Sequence, residues 1–231
     1  MMGIVVTGFE AFYRSGGAAQ WERGKADVVR QVADLLMNMG PQSRILDFGC
    51  GTGWTAPILS EKGGRYLGID PSAEGIAIAE KEYAGPGIHF HRMKIGEPLE
   101  GALARTQFTH VFALDTLHFV ADIEGTLQSI RGSLEPDGLL VMVSHLYRES
   151  RLADRVIDFV TREYGYAHLL SGIQWCTLLD RNGYGEVRRY RFFDREPFDP
   201  SVYAGQPEEA IELAREIYER EGALVVTGRR R

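Results

Sequence analysis

Residues 44–72 read RILDFGCGTGWTAPILSEKGGRYLGIDPS, and the rest of the chain is organised around them. Arg44–Phe48 is a short apolar run, which predicts a strand. A glycine turn follows, with Gly49, Gly51 and Gly53 at alternate positions. Thr55–Glu61 predicts a short helix, and Arg65–Ile69 a second apolar strand that ends on an acid, Asp70. A strand, glycine turn, helix and strand in this order place backbone N–H groups and a helix N-terminus against a nucleotide-like ligand. The acid at the end of the second strand is then positioned for ribose hydroxyls.

The spacing inside the turn separates the possible ligands. A dinucleotide turn needs G-x-G-x-x-G, and the position of its third glycine holds Trp54 here. An acid, Asp47, lies two residues before the first glycine, where dinucleotide folds keep an apolar strand residue. D-x-G-x-G-x-G followed by an acid at the end of the next strand resembles the cofactor motif of the class I S-adenosylmethionine-dependent methyltransferases. The resemblance extends over about residues 26–145. It takes in D-T-L-H-F-V at Asp115–Val120 and L-x-P-D-G-L-L-V at Leu134–Val141.

Working outward, the apolar residues Val28, Val32, Leu35, Leu36 and Met39 follow helical spacing from Ala26, and Gly40-Pro41 stops that helix. Towards the other end, Ser72 is placed to cap a helix through Tyr83. Gly85-Pro86-Gly87 breaks it before a third strand at Ile88–His91. Phe108–Leu114, almost wholly apolar, predicts a strand buried on both faces. Asp122 then caps a helix carrying Ile123, Leu127, Ile130 and Leu134. The turn Glu135-Pro136-Asp137-Gly138 leads into a fifth strand, Leu139–Ser144. Alternating strands and helices imply a parallel, doubly wound α/β sheet.

Beyond it come an amphipathic helix at Leu152–Val160, a short one at Trp175–Arg181, a strand at Glu186–Phe193, a helix from Pro207 and a last strand at Ala223–Gly228. The resemblance implies seven strands, mostly parallel, with helices on both faces and the last two strands as an antiparallel C-terminal hairpin. It also implies one methyltransferase domain over residues 1–231. Residues 1–40 form a helical cover, 41–146 the cofactor-binding core, and 147–231 a variable substrate side with the edge strands.

Composition narrows the function. The chain has 231 residues, 44% hydrophobic and 25% charged, with a net charge of −6, so it offers no overall electrostatic footprint for nucleic acid or an anionic membrane. Cys50 and Cys176 are too few for a metal site or a disulfide framework. The start, MMGIVVTGFE, lacks a basic leader, and no apolar run approaches the roughly 20 residues of a membrane span. The expectation is a soluble, cytoplasmic protein acting on a small molecule, without nucleic acid, membrane or metal, as a monomer or homodimer.

The resemblance also assigns roles. Asp47, Gly49, Gly51 and Gly53 would hold the methionine part of S-adenosylmethionine, and Asp70 with Pro71 beside it the ribose. Met93, Lys94 and Ile95 would lie against adenine, and Leu114 and Asp115 beneath the sulfonium or the amino-acid moiety. Transfer would leave S-adenosylhomocysteine by direct in-line displacement. Since the sulfonium is itself the electrophile, the protein's task is alignment, with a base only where the acceptor loses a proton. His118 is the first candidate for that base and for contact with substrate, and His145 is the second. Tyr13, Arg14 and Trp21, in the leading segment, are candidates to line the substrate site. The acceptor atom stays open between oxygen, nitrogen and carbon. D-T-L-H after the fourth strand is not the asparagine-proline-proline-tyrosine run of base or glutamine methylation. A nicotinamide oxidoreductase and a non-catalytic cofactor-binding module are the competing readings. Trp54 and Asp47 count against the first.

Overall fold

The computed structural model describes residues 13, 22, 24–94, 106–164, 168–203, 205 and 208–231. Seven strands form one sheet in the order β3-β2-β1-β4-β5-β7-β6. They are β1 (Arg44–Phe48), β2 (Arg65–Asp70), β3 (Ile88–Arg92), β4 (Phe108–Leu114), β5 (Leu134–Ser144), β6 (Tyr184–Phe192) and β7 (Ala223–Arg230). The first five run parallel. β7 enters antiparallel between β5 and β6 and pairs with both. The predicted C-terminal pair is therefore antiparallel as expected, and its second strand is interior to the sheet.

Helices α1 (Ala26–Leu36), α2 (Ala56–Leu59) and α3 (Ala73–Tyr83) are joined in sequence by α4 (Ile123–Ser133), α5 (Ala153–Tyr164), α6 (Gly172–Arg181) and α7 (Glu208–Glu216). The pleat sorts the apolar side chains between them. Along β5, Leu139, Val141 and Val143 join Val28, Val32 and Ile76 of α1 and α3 in one core. Leu140 and Met142 join Leu127 and Ile130 of α4 and Trp175 and Leu179 of α6 in the other. A strand buried on both faces needs apolar residues at every position, which is why β4 and β5 read as continuous runs.

Local chemistry sets the boundaries. Ser72 accepts the Gly75 N–H at 3.0 Å and Asp122 the Gly125 N–H at 2.9 Å, so both predicted caps form. α1 stops at Leu36, three residues before the expected Met39, and Asn38 has φ 38°. α6 starts three residues before the expected Trp175. Ser171 and Gln174 form a capping box there that apolar spacing does not reveal. The turn at Glu135–Gly138 loops out of β5: Phe108 pairs with Leu134, and two residues on His110 pairs with Leu139. Among the described residues no helix is long and apolar enough to cross a membrane.

Candidate active site

The site gathers at the carboxyl ends of the parallel strands, where open α/β sheets bind ligands. At the end of β1, Gly49, Gly51 and Gly53 all have positive φ, at 82°, 55° and 77°, a backbone region nearly closed to residues with a Cβ. At Gly53 a Cβ would also stand 2.6 Å from the Phe90 ring and 2.8 Å from Ala79, so packing and conformation both exclude one. The Gly51 N–H donates to Asp70 Oδ2 at 3.0 Å, and the Ser72 N–H to Oδ1 at 2.9 Å. These two bonds fix the carboxylate at the tip of β2. Pro71 follows it, and its carbonyl accepts Arg92 Nε at 3.1 Å. Met93 continues from β3, its N–H donating to the Asp70 carbonyl at 3.0 Å, and Lys94 is exposed beyond it.

Asp47 lies beneath this turn. It is 1% exposed, and its Oδ2 accepts the Thr55 hydroxyl and, at 2.7 Å, the Tyr66 hydroxyl. Burial pushes its pKa up to about 6, against the lowering effect of the two hydroxyls. Asp47 thus braces the glycine turn from below, tying β1 to α2 and β2. Tyr13 lies on the outer side of the turn: a Cβ at Gly51 would stand 3.0 Å from its hydroxyl. Tyr13 therefore packs against the glycine turn.

A second cluster forms at the ends of β4 and β5. Asp115, in the left-handed region at φ 48°, turns its carboxylate back onto His145. The His145 backbone N–H donates to Oδ1 at 2.7 Å, and ring Nδ1 stands 2.9 Å from Oδ2. Lys25 Nζ, from the start of α1, reaches the same Oδ2 at 2.7 Å. Burial raises the Asp115 pKa, but Lys25 and His145 outweigh it and hold the carboxyl well below its usual range. Asp115 is therefore ionised and can only accept, so Nδ1 of His145 is the nitrogen that donates to it. The His145 side chain is 4% exposed, and its Nε2 has no hydrogen-bond partner among the described residues.

His118 sits close by, 2% exposed, with Nε2 likewise unpartnered. Burial lowers its pKa to about 4, so it is neutral and a weak base at physiological pH. Leu114, at the end of β4, is buried at 9% exposure.

Two further pieces close the cluster. A third apolar group, separate from the sheet cores, gathers Leu213, Ala214, Ile217 and Tyr218 with Phe119, Leu152 and Phe198. The Tyr218 ring meets His145 edge-on at 5.4 Å. Asp194, after β6, accepts the Val28 N–H at the start of α1, and burial raises its pKa to about 6. Arg195 clasps Asp27, with Nη2 at 2.5 Å from Oδ1, and Gln31 Nε2 donates to the Phe193 carbonyl at 2.8 Å. Thr52 in the glycine turn donates to Glu22 at 2.5 Å.

The structure brings together Asp47, Gly49, Gly51, Gly53 and Asp70 at one turn, and Asp115, His118 and His145 at the next. Arg14, Trp21 and Ile95 lie outside the described residues. Lys25 and Asp194 were not anticipated. Lys25 carried a signal: a cation at a helix N-terminus opposes the helix dipole and calls for a local anion. Asp194 carried none. Among the described residues no group of three or more His, Cys, Asp or Glu side chains could hold a metal ion.

The cofactor turn suits S-adenosylmethionine on its own geometry. Three left-handed glycines keep side chains out of the cradle, and a pre-oriented carboxylate stands at the adjoining strand tip. A family model described as a methyltransferase domain matches residues 46–142. The ubiquinone biosynthesis O-methyltransferase of Methylocella silvestris is 35% identical over 98 residues, 42% of this chain and 38% of that protein. The citrinin polyketide synthase of Monascus ruber is 27% identical over 196 residues, 77% of this chain and 7% of that one. The chain therefore spans under half the length of either relative. Among solved structures, the complex between the Haloferax volcanii Trm112 methyltransferase activator and the putative methyltransferase aligns with TM-score 0.76 and 19% identity, covering 99% of each chain. At that identity the likeness is one of fold. Over residues 46–142 the chain carries a methyltransferase domain, with the fold and the cofactor turn of one that uses S-adenosylmethionine.

Proposed function

We propose that this enzyme methylates a hydroxyl oxygen of a small, largely apolar acceptor, with His145 as the base. The observation that carries the reading is the Lys25–Asp115–His145 chain, which leaves Nε2 as the proton-accepting atom of a fixed, buried imidazole. A base oriented by a third group is the arrangement that activates hydroxyl nucleophiles. An oxygen acceptor needs one, because a neutral hydroxyl becomes a competent nucleophile only as it loses its proton.

Bound S-adenosylmethionine supplies a methyl carbon already activated by the positive sulfur. The chain's own groups do the rest. Asp70 and the glycine turn hold the nucleoside end, while Met93 and Lys94 border the adenine position. Asp115 and Leu114 lie on the side of the methionine moiety. His145 Nε2 takes the hydroxyl proton as oxygen bonds to carbon and the carbon–sulfur bond breaks, and Asp115 steadies the imidazolium that results. His118, neutral, offers a second acceptor to the substrate. The apolar group around Tyr218 and Phe119 excludes water and fits a flat or aliphatic acceptor body. In this reading residues 1–40 cover the cofactor, 41–146 bind it, and 147–231 choose the acceptor.

The test is methyl transfer from labelled S-adenosylmethionine onto a panel of phenols, enols and amines. Transfer to oxygen is expected, and His145→Ala should lower kcat by roughly 100- to 10,000-fold while S-adenosylhomocysteine binds unchanged. Turnover by that variant within twofold of the parent removes His145 as base. Transfer to amines alone moves the acceptor from oxygen to nitrogen.

A further inference from the structure

A cavity of about 580 Å³ opens beside the acceptor side of the site, where β5 and β6 end and β7 begins. Three arginines line it: Arg151 before α5, Arg191 on β6, and Arg220 in the last helical turn before β7. Glu149, Glu216 and Glu221 line it as well, so its net charge alone says little.

Pairing within the wall breaks that balance. Two of the carboxylates face arginines outside the lining: Glu149 lies 3.9 Å from Arg189 and Glu216 meets Arg155 at 3.2 Å, while Glu221 accepts the Arg151 backbone N–H at 3.2 Å. None of the three guanidinium groups is matched to a carboxylate among the described residues. Arg191 is held by neutral groups only. It lies 4.5 Å from the centre of the Tyr147 ring, and its Nη1 donates to the Tyr147 hydroxyl and the Glu221 carbonyl, both at 2.5 Å. That fixes one guanidinium at the wall, while Arg151 and Arg220 stand exposed beside it. Planar guanidinium groups match the oxygens of carboxylates and phosphates in a way that ammonium groups do not.

The cavity shares one side chain with the apolar group beside the site. Leu152 lines it and belongs to the apolar group of Tyr218, whose ring packs on His145. An acceptor with its hydroxyl at His145 and its body along these apolar side chains would extend toward the arginines.

The geometry points to Arg151, Arg191 and Arg220 as an oxyanion subsite, so that the methyl acceptor is an acid carrying a carboxylate or a phosphate at the end remote from the methylated hydroxyl. This rests on the acceptor lying between His145 and the apolar group, as proposed above.

The experiment is calorimetric titration of the protein, saturated with S-adenosylhomocysteine, with benzoate, phenyl phosphate and the neutral isostere benzamide. None of these carries a hydroxyl to methylate, so the result is independent of whether His145 is the base or oxygen the acceptor. At least one oxyanion should bind ten times more tightly than benzamide, and the stronger of the two identifies carboxylate or phosphate as the recognised group. The double variant Arg151→Ala/Arg220→Ala, both sites exposed, should lose that preference tenfold and keep its affinity for S-adenosylhomocysteine. Binding of neither oxyanion overturns the subsite, as does equal binding of benzamide or an unchanged preference in the double variant.

Discussion

At Asp47 two demands meet on one side chain. The turn above it needs a rigid brace, and a carboxylate that accepts two hydroxyls provides one, yet full burial makes its charge costly. Its folded pKa, about 6, stands above the value of 3.8 it takes unfolded. The stability it contributes is therefore fully present below the unfolded value and is lost as pH rises through about 6. A shift of about two pKa units corresponds to about 3 kcal/mol. Asp47→Asn keeps an acceptor for Thr55 and Tyr66 without the charge. Its stability relative to the parent should climb between pH 4 and pH 7, measured by urea unfolding at both. A parallel pH dependence in the two proteins would place the raised pKa elsewhere. The acid itself was legible from its place before the glycines. Its partners, Thr55 and Tyr66, lie within the same 29-residue stretch, but spacing does not say which hydroxyls turn inward. Likewise His118 and His145 were both visible as candidates. What ranks them is the left-handed turn at Asp115, a backbone state no composition rule places on an aspartate.

At the scale of elements, α1 is the cover's fastening. Through Lys25 it touches the end of β4, and through Asp27, Val28 and Gln31 the segment that follows β6. Its apolar stripe was readable from periodicity, so its existence and its buried face were legible. Its ties to residues 193–195 were not, since they join positions far apart in sequence and leave no periodic trace. The Asp27–Arg195 pair is at the surface on the arginine side, and such pairs contribute roughly 0.2–1 kcal/mol. Arg195→Ala should then leave global stability nearly unchanged but speed hydrogen exchange in residues 26–36 by roughly 1.5- to 5-fold, with β1 and β4 unaffected. Identical exchange in the two proteins would mean that Lys25 and Gln31 hold the helix unaided.

For the molecule as a whole, the cofactor turn joins β1, α2, β2 and α3, so ligand binding is read out by the entire fold. A ligand at 100 times its Kd adds about 2.7 kcal/mol of stability, which for a chain of this size raises Tm by about 5–11 °C. S-adenosylmethionine should produce that shift and NAD none. Asp70→Ala should abolish most of it by removing the carboxylate that Gly51 and Ser72 hold in place. A shift with NAD would reassign the turn to dinucleotides. The doubly wound sheet was legible from the succession of strands and helices. The antiparallel pairing of the last two strands followed only from resemblance, and the place of β7 between β5 and β6 was not anticipated, because a strand's own residues do not specify its neighbours.

That position bears on how the protein is made. β5 and β6 are both synthesised before residues 223–230, yet each reaches its final partner only when β7 slides between them. During translation the edge of β5, lined by Leu140, Val141 and Met142, is an open ladder of unpaired backbone groups. Nascent chains halted before residue 223 should therefore engage holdase chaperones at β5 and release them once the last strand has emerged from the ribosome.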